Sequence, residues 1–169
     1  MKFEIISAVW YSQTQIALEN CASQIYDFLV SLNEFDNEYF DVWFEKSSSL
    51  NKSKQNRVEL SQMKILSLLK NKVESKSPDL GSRISLWTGK DFDRSAEVSF
   101  KLGAYGTKPY NNNLCVLQLP QDFMTTRDTE SFKRMLILFD EFWEPTKILI
   151  DGEEFRYDKM SRKSGFWFH

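Results

Sequence analysis

The sequence predicts an α+β fold: an antiparallel-dominated sheet with two to three amphipathic helices packed mainly on one face. Three observations lead there. Apolar residues recur at spacings of three and four in two long segments, which marks helices buried along one stripe. Between those segments, short β-branched and aromatic runs follow one another with only turn residues separating them, so neighbouring strands lack a crossover helix and must run antiparallel. The length, 169 residues, is about one domain's worth, and 1–169 reads as one domain.

Phe3 to Trp10 is a short apolar run closed by Tyr11-Ser12-Gln13, and it reads as the first strand. Leu18, Cys21, Ala22, Ile25, Phe28, Leu29 and Leu32 then repeat at helical spacing with Glu19, Gln24, Asp27 and Ser31 between them, and Ser12 or Thr14 is the expected cap. Tyr39 to Glu45 is aromatic-rich but alternates poorly, and reads as a strand or extended segment. Lys46 to Lys76 is poor in apolar residues. Within it Ile65, Leu66, Leu69 and Val73, following Ser61, mark a short peripheral helix in a stretch otherwise read as loop.

From Arg83 the pattern turns to β. Ile84 to Trp87 is followed by Val98, Phe100 and Leu102 alternating with Glu97, Ser99 and Lys101, and then by Leu114 to Leu119; turn residues divide the three. The alternation of the second implies a sheet with one wet face, and the continuous run Leu114-Cys115-Val116-Leu117 implies a central strand. A last helix sets Phe132, Met135, Leu136, Phe139, Phe142 and Trp143 on one stripe, with Asp128 or Thr129 as its cap and Pro145 ending it. Lys147 to Ile150 is a strand, Asp151-Gly152 a hairpin turn into Phe155 to Tyr157, and Phe166-Trp167-Phe168 a candidate last strand.

Composition narrows the function. With 41% hydrophobic and 27% charged residues the chain can build a core, which excludes disorder over most of its length. Its 14 Phe, 5 Trp and 6 Tyr are numerous enough to leave some for a partner. A net charge of -2 and a pI near 5.5 argue against direct nucleic-acid binding over the whole surface. The first ten residues lack the apolar core of a signal peptide, and no run reaches the roughly 18 apolar residues of a membrane span. A cytoplasmic location and no membrane partner are therefore expected. Cys21 and Cys115, far apart and each inside an apolar pattern, read as reduced core thiols.

The inventory of reactive groups is short. The only histidine is His169, the last residue, where a rigid general base is hard to hold. Gly-x-Ser-x-Gly, Gly-x-Gly-x-x-Gly and Walker loops do not occur among the 6 glycines. No catalytic residue, cofactor or metal is assigned. Asp91 and Asp93, or Asp140, Glu141 and Glu144, have the oxygen chemistry of hard-cation ligands, but acids on turns and helix ends are solvated by default.

Charge arrangement is more telling. Glu34, Asp36, Glu38, Asp41 and Glu45 stand with no base among them and alternate with Phe35, Tyr39, Phe40, Trp43 and Phe44. Asp140, Glu141, Glu144, Asp151, Glu153 and Glu154 face only Lys147 in their segment. Acids steer a basic partner and aromatics anchor it, so the candidate partner-binding residues are Glu34, Asp36, Glu38, Asp41, Trp43, Asp140, Glu141 and Glu144. Each segment has a second reading, a solvated acidic rim with its aromatics turned inward. Lys52, Lys54, Arg57, Lys64, Lys70, Lys72 and Lys76 read as a solvated basic face.

The order of segments resembles one known family. The strand Ile5-Ile-Ser-Ala-Val-Trp-Tyr11, a long helix, Trp43-Phe44-Glu45-Lys46 before a basic Ser-rich stretch, Ile84-Ser-Leu-Trp-Thr-Gly89, and Asn112-Asn-Leu-Cys-Val-Leu-Gln-Leu-Pro120 before the last helix are similar to the immunity protein 52 family over about residues 5–150. Residues 151–169 match nothing that can be placed. The resemblance implies a cytoplasmic bacterial antidote of interbacterial competition, such as that mediated by type VI secretion, encoded beside a polymorphic toxin. The partner it implies is a protein toxin, often a nuclease of the restriction-endonuclease fold, inhibited by stoichiometric binding without enzymatic turnover. Two other classes stay open: a secretion-system adaptor or chaperone-like module, and a metal- or carboxylate-dependent hydrolase.

Overall fold

The computed structural model describes residues 5–73, 75–91 and 93–155. The strands are β1 Ile5–Tyr11, β2 Phe44–Glu45, β3 Ser82–Trp87, β4 Glu97–Leu102, β5 Asn112–Gln118, β6 Lys147–Ile150 and β7 Glu153–Phe155. The helices are α1 Leu18–Phe35, α2 Leu50–Gln55, α3 Gln62–Lys70, α4 Phe123–Thr126 and α5 Thr129–Trp143. All strands pair antiparallel, in the order β2-β3-β4-β5-β1-β6-β7. The fold is α+β, and β5 occupies the middle of the sheet as its apolar run predicts. Its burial nonetheless alternates, with Asn113, Cys115 and Leu117 buried and Leu114 and Val116 only half-buried. A continuous apolar run here marks the centre of the sheet without marking two covered faces.

Register explains which face is covered, because residues directly opposite each other project to the same side. Cys115 lies opposite both Ala8 and Phe100, and Ala8 in turn lies opposite Ile148. Leu117 lies opposite Ile6 and Val98, and Val98 opposite Leu86. These two apolar rows meet the buried stripes of α1, α3 and α5 in one core. Phe28 of α1 sits at its hub, edge-on to Phe100 of the sheet at 6.1 Å and to Phe139 of α5 at 5.2 Å. The opposite face carries Ser85, Ser99, Val116 and Ser7 in one row and Arg83, Lys101, Leu114, Val9 and Lys147 in the next. That face is less wet than the alternation of β4 implies, because Val9 and Lys101 on it are each only 4% exposed.

Local chemistry accounts for most element ends. Asp128 caps α5, its carboxylate accepting from the Ser131 N–H at 2.8 Å, and the Ser61 hydroxyl accepts from the Lys64 N–H at 3.1 Å to cap α3. Glu144 takes a left-handed backbone (φ 43) just before Pro145, which ends α5. Asp151 and Gly152 have φ of 52 and 85, the pair of positive values that a two-residue hairpin turn requires.

Other expectations need correction. Neither Ser12 nor Thr14 caps α1: the helix starts later, with Ala17 at its cap, and the Ser12 hydroxyl is spent on the Thr14 carbonyl in its own turn. Of the strand or extended segment expected over Tyr39 to Glu45, only Phe44–Glu45 is strand; adjacent Tyr39 and Phe40 lie in the turn after α1 and are both fully buried, which alternating strand faces do not permit here. Helix α3 ends at Lys70, leaving Val73 exposed, and buries Leu68 where Leu66 was expected. Helices α2 and α4 had no apolar stripe to announce them. Phe3 and Glu4, Tyr157 and Phe166 to Phe168, on which strand readings also fell, lie outside the described residues, as does His169. No helix among the described residues is long and apolar enough to cross a membrane.

Cys21 and Cys115 are buried free thiols, as expected. Burial pushes the Cys21 thiol up to about 11 and raises that of Cys115 well above its ordinary value.

Candidate protein-binding surface

Helix α1 ends where Asp36 adopts an extended backbone, although its N–H still donates to the Leu32 carbonyl. The chain then turns on itself, with the Glu38 N–H donating to Asp36 Oδ1 at 3.1 Å and the Phe40 N–H to the Asp36 carbonyl at 3.1 Å. This turn sends the aromatics inward. Tyr39 and Phe40 are 0% exposed and Trp43 2%. Phe40 stacks on Trp43 at 6.1 Å, and Tyr39 packs on Phe123 at 5.6 Å. Trp43 therefore belongs to the core and does not stand on the surface as an anchor.

Three acids of this segment, Asp36, Glu38 and Asp41, lack bases only in the sequence. Arg127 Nε donates to Asp36 Oδ2 at 2.7 Å, and its Nη2 to Glu38 Oε2 at 2.8 Å. Arg94 Nη2 reaches Glu38 Oε1 at 2.7 Å, and Lys90 Nζ reaches Asp41 Oδ1 at 2.9 Å while also donating to the Glu38 carbonyl. The Arg127 guanidinium lies over the Tyr39 ring at 5.1 Å, and the Tyr39 hydroxyl shares a 2.7 Å hydrogen bond with Thr126 Oγ1. Hydrogen bonding to Arg127 holds the Glu38 carboxyl below its ordinary range, and the two carboxylates raise Arg127 in return. The loop after α1 is thus clasped to the β3–β4 connection and to α4.

Exposure sorts the candidate residues. The Asp36 side chain is 11% exposed, so it works inside the clasp, whereas Glu38 and Asp41 keep 50% and 49% of theirs in solvent. Glu34 is exposed and meets no base among the described residues. These four stand at one corner of the molecule.

The second acidic segment does not join them. Glu141 and Glu144 are exposed, but they lie roughly 20 Å along α5 from its capped end. Asp140 is 1% exposed and cannot meet a partner directly, because it follows Leu136 by four residues and so shares the inward stripe. Among the described residues no group of three or more His, Cys, Asp or Glu side chains is placed to hold a metal ion, so neither Asp91 and Asp93 nor the α5 acids assemble one. The bases Lys52, Lys54, Arg57, Lys64, Lys70, Lys72 and Lys76 are all exposed, as a solvated face requires.

Sequence reasoning missed Lys90, Arg94 and Arg127. Each is an isolated base in a distant loop, and no local pattern pairs it with the acids. It also missed a cleft beside the corner, about 450 Å³ in volume, whose lining includes Val30, Phe40, Asp41, Trp43, Val58 and Leu60.

Comparison with known proteins adds the family. No curated protein matches the chain. The family model described as immunity protein 52 matches residues 5–165, beyond the span of about 5–150 over which the resemblance is legible and into the segment left unplaced. The match runs through the sheet, the helix layer and the clasped corner alike: the chain belongs to the immunity protein 52 family, and as an immunity protein it binds and neutralises a cognate toxin as a non-enzymatic inhibitor.

Proposed function

We propose that the toxin is a nuclease of the restriction-endonuclease fold, neutralised in the cytoplasm by one-to-one binding to this protein acting as one domain over residues 1–169. The observation that carries this reading is the clasped corner, where Glu38 and Asp41 are half-exposed yet fixed by Arg94, Arg127 and Lys90, with unpaired Glu34 beside them. A nuclease holds phosphates with Lys and Arg around its scissile site, and carboxylates presented there stand in for phosphates. Carboxylates already held in place lose little conformational freedom on binding, so more of the interaction appears as affinity. In this reading Glu34, Glu38 and Asp41 touch the toxin, Asp36 and Trp43 hold the loop from within, and Glu141 and Glu144 form a second, smaller acidic spot. An interface of ordinary size would bury roughly 1,200–2,000 Å² in total.

Titration of purified toxin with this protein tests the reading, with cleavage of plasmid DNA as the readout. Cleavage should stop at one equivalent, and co-expression should restore growth to cells carrying the toxin. Glu34→Lys, which breaks no internal ion pair, should slow association and flatten its dependence on salt. Complete inactivation by a small fraction of an equivalent would make the protein an enzyme, and a toxin that leaves nucleic acids intact would remove the nuclease assignment.

A further inference from the structure

We propose that the strand edge at residues 56–60, with the cleft behind it, seats an extended segment of the toxin by strand addition. The inference rests on the toxin-binding role and is independent of the toxin being a nuclease. Residues 56–58 lie antiparallel against β2 through one bridge, which pairs Phe44 with Arg57: the Glu45 N–H donates to the Asn56 carbonyl and the Val58 N–H to the Trp43 carbonyl, each at 2.9 Å. Alternation along a strand then turns the backbone groups of Asn56 and Val58 toward β2 and those of Arg57 and Glu59 away from it. Among the described residues neither the Arg57 nor the Glu59 N–H finds an acceptor. Among the described residues the sheet thus ends on this side in an unpaired edge, the feature that recruits an extended peptide in strand addition.

The cleft gives the edge a purpose. Its volume of about 450 Å³ has room for an aromatic or branched aliphatic side chain, and Val30, Val42, Val58 and Leu60 are the apolar part of a lining that also holds Asp41, Arg57 and Glu59. Trp43, 2% exposed, forms part of the cleft wall, so its indole resonance reports on an occupant. At the mouth, Glu59 is exposed with no base among the described residues, and Asp41 keeps half of its side chain in solvent. The occupant that fits is an extended stretch of the toxin in which an apolar side chain enters the cleft and a neighbouring Lys or Arg meets Glu59 and Asp41.

Amide exchange measured by NMR on the full chain, alone and saturated with catalytically inactivated toxin, tests the proposal. In the complex the Arg57 and Glu59 amides should slow by at least about ten-fold and the Trp43 indole resonance should move. Val42→Trp, which fills the cleft from its half-buried wall, should weaken binding by about ten-fold or more. The wild-type exchange data keep the test decisive if that variant fails to fold. Unchanged exchange at Arg57 and Glu59 in a saturated complex overturns the seat and leaves the toxin-binding role standing. Failure to form any complex removes that role, and the seat with it. Two patterns in the free protein also overturn it: protection that grows with concentration assigns the edge to a second copy of the chain, and concentration-independent protection assigns it to another part of the same chain.

Discussion

Replacing Phe28 by Ala removes the ring at which α1, the sheet and α5 meet. Phe28 is 0% exposed, and its ring centroid lies 6.1 Å from that of Phe100 in the sheet. On the α5 side it lies 5.2 Å from Phe139, 5.1 Å from Phe142 and 5.0 Å from Trp143. Truncation of a buried Phe costs about 3–5 kcal/mol, the lost transfer energy plus the energy of the cavity left behind. Where the site can collapse, the cost falls toward the lower limit. Here the surrounding groups are rings fixed on a sheet and a second helix, which cannot close over the hole without tilting out of their edge-on contacts, so about 4–5 kcal/mol is expected. That is a large part of the roughly 5–15 kcal/mol that stabilises a domain. At about 2–4 °C per kcal/mol for a chain of this size, the melting midpoint should fall by roughly 8–20 °C. Equilibrium unfolding in guanidinium chloride measures the loss directly, with an unchanged slope confirming that the native state alone was altered. Phe28→Leu, which keeps much of the volume and loses the ring contacts, should cost about 1–2 kcal/mol. A cost below about 1 kcal/mol for the Ala variant would mean that α1 does not join the sheet to α5, and the single core described above would be wrong.

Other perturbations follow from the same geometry. Arg127→Ala leaves Asp36, with only 11% of its side chain exposed, without its partner, and a double-mutant cycle with Asp36→Ala should show a coupling of about 1–3 kcal/mol in urea unfolding. Arg127→Lys should fail to restore it, since an ammonium cannot bridge two carboxylates with the fixed fork that holds Asp36 and Glu38. The carboxyls of Glu38 and Asp128 are held below their ordinary values, by hydrogen bonding to Arg127 and to Ser131 respectively. Their contribution to stability is therefore complete above the ordinary values of 4.5 and 3.8 and is lost as pH falls through the lowered ones. Melting midpoints should drop on acidification below about pH 5, and less steeply for Asp128→Asn than for the native chain. Finally, with both thiols raised by burial, neither Cys21 nor Cys115 should be alkylated by iodoacetamide at pH 8 in the native protein, while both should react in denaturant.

How much of this was legible in the sequence depends on the range over which each interaction acts. The helices α1 and α5 and the meander β3–β4–β5 follow from periodicity, because the residues that must share a face lie three, four or two positions apart. Even the burial of Asp140 was written there, since it stands four residues after Leu136 on an apolar stripe, and only its charge argued otherwise. The acidic corner was legible as a place and illegible as a structure. Its acids are contiguous, but the bases that meet them come from as far as Arg127, and nothing local to Lys90, Arg94 or Arg127 tells which carboxylate each will face. The cleft escaped for the same reason, being built from α1, the loop after it and the edge at 56–60. These long-range partners change what a contiguous run of acids can do. Without them, Asp36 to Asp41 would be a flexible acidic loop that loses freedom whenever it binds. Clasped, the loop spends the charge of Asp36 inward and holds Glu38 and Asp41 outward, while neighbouring Glu34 keeps a charge that no base among the described residues offsets. Charge at this corner therefore divides into a part that holds the protein together and a part that faces outward. Reversal of Glu34 separates the two, because it should alter association with the toxin and leave the melting midpoint where it was.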